Sequence, residues 1–171
     1  MKSMARGCFT RTHRGWILTL LLLPAVIVAS TSCAKGSTIS SGGGGLRTYD
    51  VFVQKFRYHG MPTSIPHGPF AINFSNRESF QIVHEMVMVA LPSGKSAADI
   101  TAAARKKGTK SEDEWLHFGE IGDVSTGATI SGIFDPPPGN YAIACWQTGK
   151  AGGGTGPPHA AIGMVFQFKV T

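Results

Sequence analysis

Pro136-Pro-Pro-Gly-Asn-Tyr141-Ala-Ile-Ala-Cys145-Trp-Gln-Thr-Gly149 opens the stretch that decides the fold, and it continues Lys150-Ala-Gly-Gly-Gly-Thr-Gly-Pro-Pro-His159-Ala-Ala-Ile-Gly-Met164-Val-Phe-Gln-Phe168. A Pro-Gly turn leads into a short run of Tyr, Ile and Ala, a Gly/Pro segment interrupts it, and an apolar alternation restarts at Val165. That is the grammar of strand, loop, strand. Working outward, the same grammar predicts strands at 48–58, 69–75, 79–91, 128–134, 140–147 and 164–170. Within 79–91, Phe80, Ile82, His84, Met86 and Met88 alternate with Gln81, Val83, Glu85, Val87 and Val89. His84 is therefore placed on a largely apolar side of its strand.

One connection reads as helix. Ser96 stands at an N-cap position with Asp99 three residues on, Arg105, Lys106 and Lys107 fill the last turn, and Gly108 closes it,. A second short turn is predicted from Ser111, with Glu112, Asp113 and Glu114 as its helix-start acids. The 171 residues are 15 % charged, against roughly 25 % in typical soluble domains, and include 22 Gly and 10 Pro. That composition excludes an all-α bundle and leaves room for a single full-sized domain plus tails. Six or so strands with one inserted helix predict an all-β, antiparallel β-sandwich.

The net charge of +6 is unevenly placed. Lys2, Arg6, Arg11 and Arg14 fall in residues 1–32 with no acid among them, and the basic and acidic residues downstream nearly balance. Arg105, Lys106, Lys107 and Lys110 form a cluster without aromatic partners, the pattern of a solvated helix end and not of a nucleic-acid face,. The basic start precedes an apolar run from Trp16 to Ala29, too short to span a bilayer comfortably and suited to a secretory leader,. Small residues then lead to Cys33 and a polar Gly/Ser run. The arrangement resembles a bacterial lipoprotein precursor, although Ser30 stands where the family prefers Leu. The resemblance implies a signal peptide at 1–32, lipidation at Cys33, a flexible tether at 33–46 and a domain at 47–171, held at the extracytoplasmic membrane surface. Ordinary cleavage after Ser30 or Ala34, giving a secreted or periplasmic protein, is the alternative reading.

With Cys8 in the leader and Cys33 consumed by lipid, Cys145 remains as a lone thiol in an oxidising compartment,. Burial, an intermolecular disulfide or a metal would each account for it. The order Pro-Gly-x-Tyr-x-x-x-Cys, then His-x-x-x-x-Met, with a strand histidine upstream, resembles the cupredoxins, the plastocyanin and azurin family of blue copper proteins. That resemblance implies a Greek-key sandwich, one copper ion, and His84, Cys145, His159 and Met164 as its ligands. It makes Tyr141 a structural tyrosine corner and His159 the solvent-near histidine through which electrons leave. A thiolate, two imidazoles and a thioether suit an ion that shuttles between Cu(I) and Cu(II). Two departures stand out: the 13 residues 146–158 separate Cys145 from His159, and Glu85 follows the upstream histidine where many members have Asn.

Taken singly, Cys145 reads as a small buried hydrophobe, His84 as a core or edge histidine, Met164 as core and His159 as a loop residue. His59, Met61 and His67 in one loop offer a faint second metal site, with solvated loop residues the plainer reading, as for His117. No nucleophile triad, phosphate-cradling loop, paired carboxylates or Cys-x-x-Cys pattern is present,. Four protein ligands leave no open position for a substrate, so the resemblance implies an electron carrier working between redox partner proteins and not an enzyme. A copper chaperone, store or sensor, and a metal-free binding module, are the competing classes.

Overall fold

The strand pattern folds into two facing sheets in the computed structural model, which describes residues 45–171. The leader, Cys33 and most of the tether lie outside the described residues. Among the described residues no helix is long and apolar enough to cross a membrane. The first sheet contains β1 (Arg47–Gln54), β2 (Arg57–His59), β4 (Phe70–Asn76) and β7 (Thr129–Phe134), in the order β2-β1-β4-β7. The second contains β3 (Ser64–Ile65), β5 (Val83–Ala90), β6 (His117–Ser125), β8 (Gly139–Ala144) and β9 (Val165–Val170), in the order β3-β9-β8-β5-β6.

The sandwich forms as expected, and most of its pairings are antiparallel, but β1/β4 and β3/β9 are parallel. The cause is the path of residues 55–69. They cross to the second sheet, where β3 lies beside β9, and return so that β4 runs alongside β1 in the same direction. The expected single strand at 48–58 is broken at Lys55 and Phe56, whose φ angles of 54° and 56° make a tight hairpin from two left-handed residues,. Neither residue is Gly or Asn, so the turn carries no sequence signature.

The second sheet is covered on both faces, which explains why the centre of β5 reads as a continuous apolar run: Met86, Val87, Met88 and Val89 are all fully buried,. Met86 and Met88 face the interior with Phe70, Ile72 and Phe74 of the first sheet. Val87 and Val89 face outward beneath α1 (Ala97–Lys107), packing with Ile100, Ala104 and Trp146. The helix starts as predicted: the Asp99 carboxylate accepts from the Ser96 N–H and Oγ, both at 2.9 Å. It runs directly into a 3-10 turn, Gly108–Glu114, so the second turn begins at Gly108 and not at Ser111. Glu112, Asp113 and Glu114 end that turn instead of starting it.

Strand β6 is absent from the sequence prediction. Its buried residues, Ile121 and Val124, are three apart because β6 bulges against β5, and two glycines and two acids dilute the rest,. Residues 79–82, expected to extend β5, form a bend instead, tied by the Thr126 hydroxyl to the Phe80 and Ile82 carbonyls.

Tyr141 makes the structural bond foreseen for it, its hydroxyl donating to the Pro137 carbonyl at 2.7 Å. Tyr141→Phe keeps the ring in the core and removes that bond. Urea unfolding of the variant is expected to show a loss of about 1 kcal/mol, and an unchanged midpoint would mean that the corner contributes nothing.

Candidate metal centre

His84 is the second residue of β5 and points inward, on the same face as Met86 and Met88. It pairs with Val124 while Met86 pairs with Ile121, so two residues of β6 stand opposite Glu85, one of them Asp123 at φ 52°. Cys145 follows the last residue of β8 and turns inward, while Trp146 turns outward under the helix. The strand alternation thus delivers an imidazole and a thiol to one end of the core.

The long interval to His159 is closed by backbone pairing. The Ala160 N–H donates to the Cys145 carbonyl at 2.6 Å, the His159 N–H donates to the Gln147 carbonyl at 3.0 Å, and Thr148 bridges Pro158. Only residues 149–157 leave this ladder. At its neck a side chain on Gly156 would place a Cβ 3.0 Å from the Gly149 carbonyl oxygen, so glycine is needed for the close approach. One 3-10 turn, His159–Ile162, then ends at Gly163 in the left-handed region, φ 96°. The Met164 N–H donates back to the His159 carbonyl at 3.0 Å, and the Cys145 N–H approaches the Met164 carbonyl at 3.3 Å. This turn is the physical content of the His-x-x-x-x-Met spacing.

Cys145 Sγ lies 3.2 Å from His159 Nδ1 and 3.8 Å from His84 Nδ1, and the two imidazole centroids are 4.6 Å apart. One ligand atom from each of the three residues falls within 4.8 Å of the others. Met164 is fully buried in the same core cluster as Cys145. All four side chains are 0 % exposed. Both Nδ1 atoms face the sulfur, while the Nε2 atoms have no hydrogen-bond partner.

Burial and the neighbouring His159 ring push His84 down to about 3. Burial also lowers His159, against the upward pull of the Gly149 carbonyl and the Glu78 carboxylate, neither of which reaches hydrogen-bond geometry with the ring. Burial pushes the Cys145 thiol well up. The resting set is two neutral imidazoles around a protonated thiol. It fits a thiophilic ion with imidazole affinity, which would replace the thiol proton and be held by groups that need no other deprotonation.

Glu85, which follows the upstream histidine, ties down the cysteine loop. Its carboxylate accepts the Trp146 N–H at 2.5 Å and the Gln147 amide at 3.1 Å, its own N–H points at Cys145 Sγ at 3.5 Å, and its carbonyl accepts the Tyr58 hydroxyl at 2.6 Å. Burial raises this carboxyl's pKa, and the bonds from Trp146 and Gln147 partly offset the shift. The cysteine loop is therefore fixed on both its backbone and its side chain.

His159, expected to lie near solvent, is sealed. The Phe56 ring stands edge-on to His159 at 4.9 Å and to His84 at 5.4 Å, and the Gly149 backbone lies near the His159 ring. Phe56 and Glu78 are the residues of the site that the sequence reading missed. Phe56 sits in a hairpin without a turn signature, and Glu78 is a lone acid in what reads as a polar turn. His59 stacks on Phe52 and Met61 enters the core. Among the described residues neither His59 nor His67 belongs to a group of three metal-ligating side chains. His117 does meet Glu112 and Glu120, on the exposed side of edge strand β6, with His117 and Glu120 open to solvent.

No protein-family model matches the chain, and no curated protein matches it in sequence. Solved structures do match in shape. Reduced auracyanin from Roseiflexus castenholzii superposes with a TM-score of 0.52 at 16 % identity, covering 75 % of this chain and 99 % of that one. Auracyanin A of Chloroflexus aurantiacus, a "blue" copper protein, gives 0.50 at 17 % identity, over 74 % of this chain and all of its own. Auracyanin B gives 0.50 at 20 % identity, over 73 % and 88 %. With two sheets in this order, a tyrosine corner, a His-Cys-His group at one end of the core and Met164 buried in the same cluster as the cysteine, the chain has the cupredoxin fold.

Proposed function

We propose that this chain is a single-copper electron-transfer protein in which His84, Cys145, His159 and Met164 would hold the ion. The observation that carries the reading is the convergence of two imidazole Nδ1 atoms on one thiol sulfur, at 3.2 and 3.8 Å, with every donor buried. Copper, when bound, supplies a one-electron couple between Cu(I) and Cu(II). The protein's part is to keep the donors in place through the change. Glu85 anchors Trp146 and Gln147 beside the cysteine, and the Ala160-to-Cys145 backbone bond fixes the histidine turn. Complete burial of the donors supports retention of the ion over hand-over to another protein, which favours the carrier over a chaperone or store. With all donors supplied by the chain, the reading includes no substrate and no catalysed reaction. The apolar leader and Cys33 support an extracytoplasmic location with a lipid anchor, from which the domain would exchange electrons with redox partner proteins.

The test is copper uptake by the full chain with a visible spectrum. One ion per chain and intense thiolate-to-copper absorption are expected. Cys145→Ser is expected to abolish the absorption, while Met164→Leu retains copper and raises the potential by removing a donor that favours Cu(II). A protein that takes up no stoichiometric copper, and whose Cys145→Ser variant is only less stable by about 1–3 kcal/mol, is a metal-free sandwich with a buried thiol.

Two pH dependences follow from the neutral donors. Ligation displaces the thiol proton of Cys145, held on by burial, so apparent copper affinity rises by about tenfold per pH unit through neutrality; a pH-independent affinity would mean that the thiol is not a ligand. In the metal-free protein, His84 at about 3 against an ordinary 6.5 means that the unfolded chain binds the extra proton. His84 therefore costs no stability above pH 6.5, and stability falls as the pH drops from there towards 3,. A urea-unfolding series between pH 7 and 4 is expected to show that decline and to show less of it in His84→Asn.

A further inference from the structure

Glu78 is a carboxylate in a place where a sandwich core has no need of one. It follows β4 at the metal-site end, with its side chain 2 % exposed. One oxygen, Oε1, accepts the Phe56 N–H at 2.7 Å and stands 3.6 Å from His84 Nε2. The backbone beneath is pinned: the Glu78 N–H donates to Asn76 Oδ1 at 3.1 Å, and the Asn76 amide nitrogen donates to the Ile82 and Val124 carbonyls, both at 2.9 Å. The His84 ring therefore lies between two fixed groups. Its Nδ1 faces Cys145 Sγ, and its Nε2, which makes no hydrogen bond, has the buried Glu78 carboxylate 3.6 Å away.

We propose that Glu78 is a positioning residue of the metal centre: its carboxylate draws the ring proton of His84 to Nε2, leaving Nδ1 as the lone-pair nitrogen aimed at Cys145, and places a fixed negative charge beside the ion. A histidine that binds metal through one nitrogen is oriented by what accepts from the other. Buried, the same charge bears on the redox state. In a dry core a negative charge attracts a dication more strongly than a monocation, and the Glu78 carboxylate adds to the pull of the Cys145 thiolate. Glu78 therefore favours Cu(II). Through the Phe56 N–H it also holds the turn whose ring stands edge-on to both imidazoles. The tautomer half stands without a metal, and the charge half rests on the copper reading.

The test uses Glu78→Gln, which keeps the shape and an acceptor for Phe56 but removes the charge, and Glu78→Asp, which keeps the charge and withdraws it by one methylene. In the metal-free full chain, nitrogen-15 NMR of the His84 ring is expected to show Nε2 protonated in the wild type and Glu78→Asp, with a shift towards the Nδ1-protonated form in Glu78→Gln. In the copper-loaded chain, voltammetry is expected to show Glu78→Gln with its Cu(II)-to-Cu(I) affinity ratio reduced at least tenfold, a rise of about 59 mV for one electron, and Glu78→Asp with a smaller rise. A wild-type ring protonated on Nδ1 overturns the tautomer role, and equal potentials in the three proteins overturn the charge role. If Glu78→Gln does not fold, Glu78→Asp alone decides, because no movement of its potential contradicts the proposal. A wild type that takes up no copper overturns the copper reading, and the nitrogen-15 measurement still decides the tautomer.

Discussion

A thiol and two imidazoles share one dry space, and most of the architecture at that end of the sandwich serves to hold them there. Each loses its water on burial, and a polar group left unpaired in a core costs about 1–3 kcal/mol. The fold meets this by turning the donors towards one another and gripping each from behind. Glu85 holds the two residues that follow the cysteine, Glu78 stands behind His84, and the Cys145 carbonyl holds the turn that begins at His159. The remaining orphans are the two outer imidazole nitrogens.

The helix belongs to the same arrangement. Because the second sheet is buried on both faces, the chain around Cys145 is packed from two sides: the cysteine looks into the main core, and Trp146 looks into the layer under α1. The Trp146 indole donates to the Ser111 hydroxyl at 3.0 Å, and Ser111 donates to the Gly108 carbonyl at 2.8 Å. Arg105, in the last turn of the helix, donates to the Ala161 carbonyl at 2.8 Å. The helix and its 3-10 extension therefore brace both the cysteine and the turn that carries His159. Rotamers locked in this way keep donor positions fixed when the charge at their centre changes.

What could be read in the sequence was whatever has a short period or a fixed local spacing. The alternation from His84 to Val89, the Tyr141 corner, the capping pair Ser96 and Asp99, and the five-residue step from His159 to Met164 are local, and each appears where expected. What could not be read depends on partners distant in the chain. The Lys55-Phe56 hairpin lacks Gly or Asn, and its conformation is supported by Glu78, 22 residues away. Strand β6 hides its period behind a bulge. The parallel pairing of β1 with β4 follows from a crossing of sheets that no periodicity encodes. Glu85 departs from the family's Asn, yet its longer side chain reaches both Trp146 and Gln147.

The sealing of His159 is where the resemblance pointed one way and geometry another. The resemblance implied a solvent-near histidine, and the 13-residue interval set it far from Cys145 in the chain, but the residues next to each ligand pair with one another and only 149–157 bulge away. Doubling such an excursion costs only about 0.6 kcal/mol in closure entropy, less than the roughly 1 kcal/mol net of one backbone hydrogen bond such as that from Ala160 to Cys145. The longer loop is therefore tolerated, and the Phe56 ring covers both imidazoles. Covering them lowers the local dielectric, which keeps both rings neutral and strengthens every charge interaction inside, that of Glu78 included. The ring that covers both imidazoles is thus held in a left-handed turn by the same carboxylate that stands behind His84, so the seal and the support of the site share one buried group.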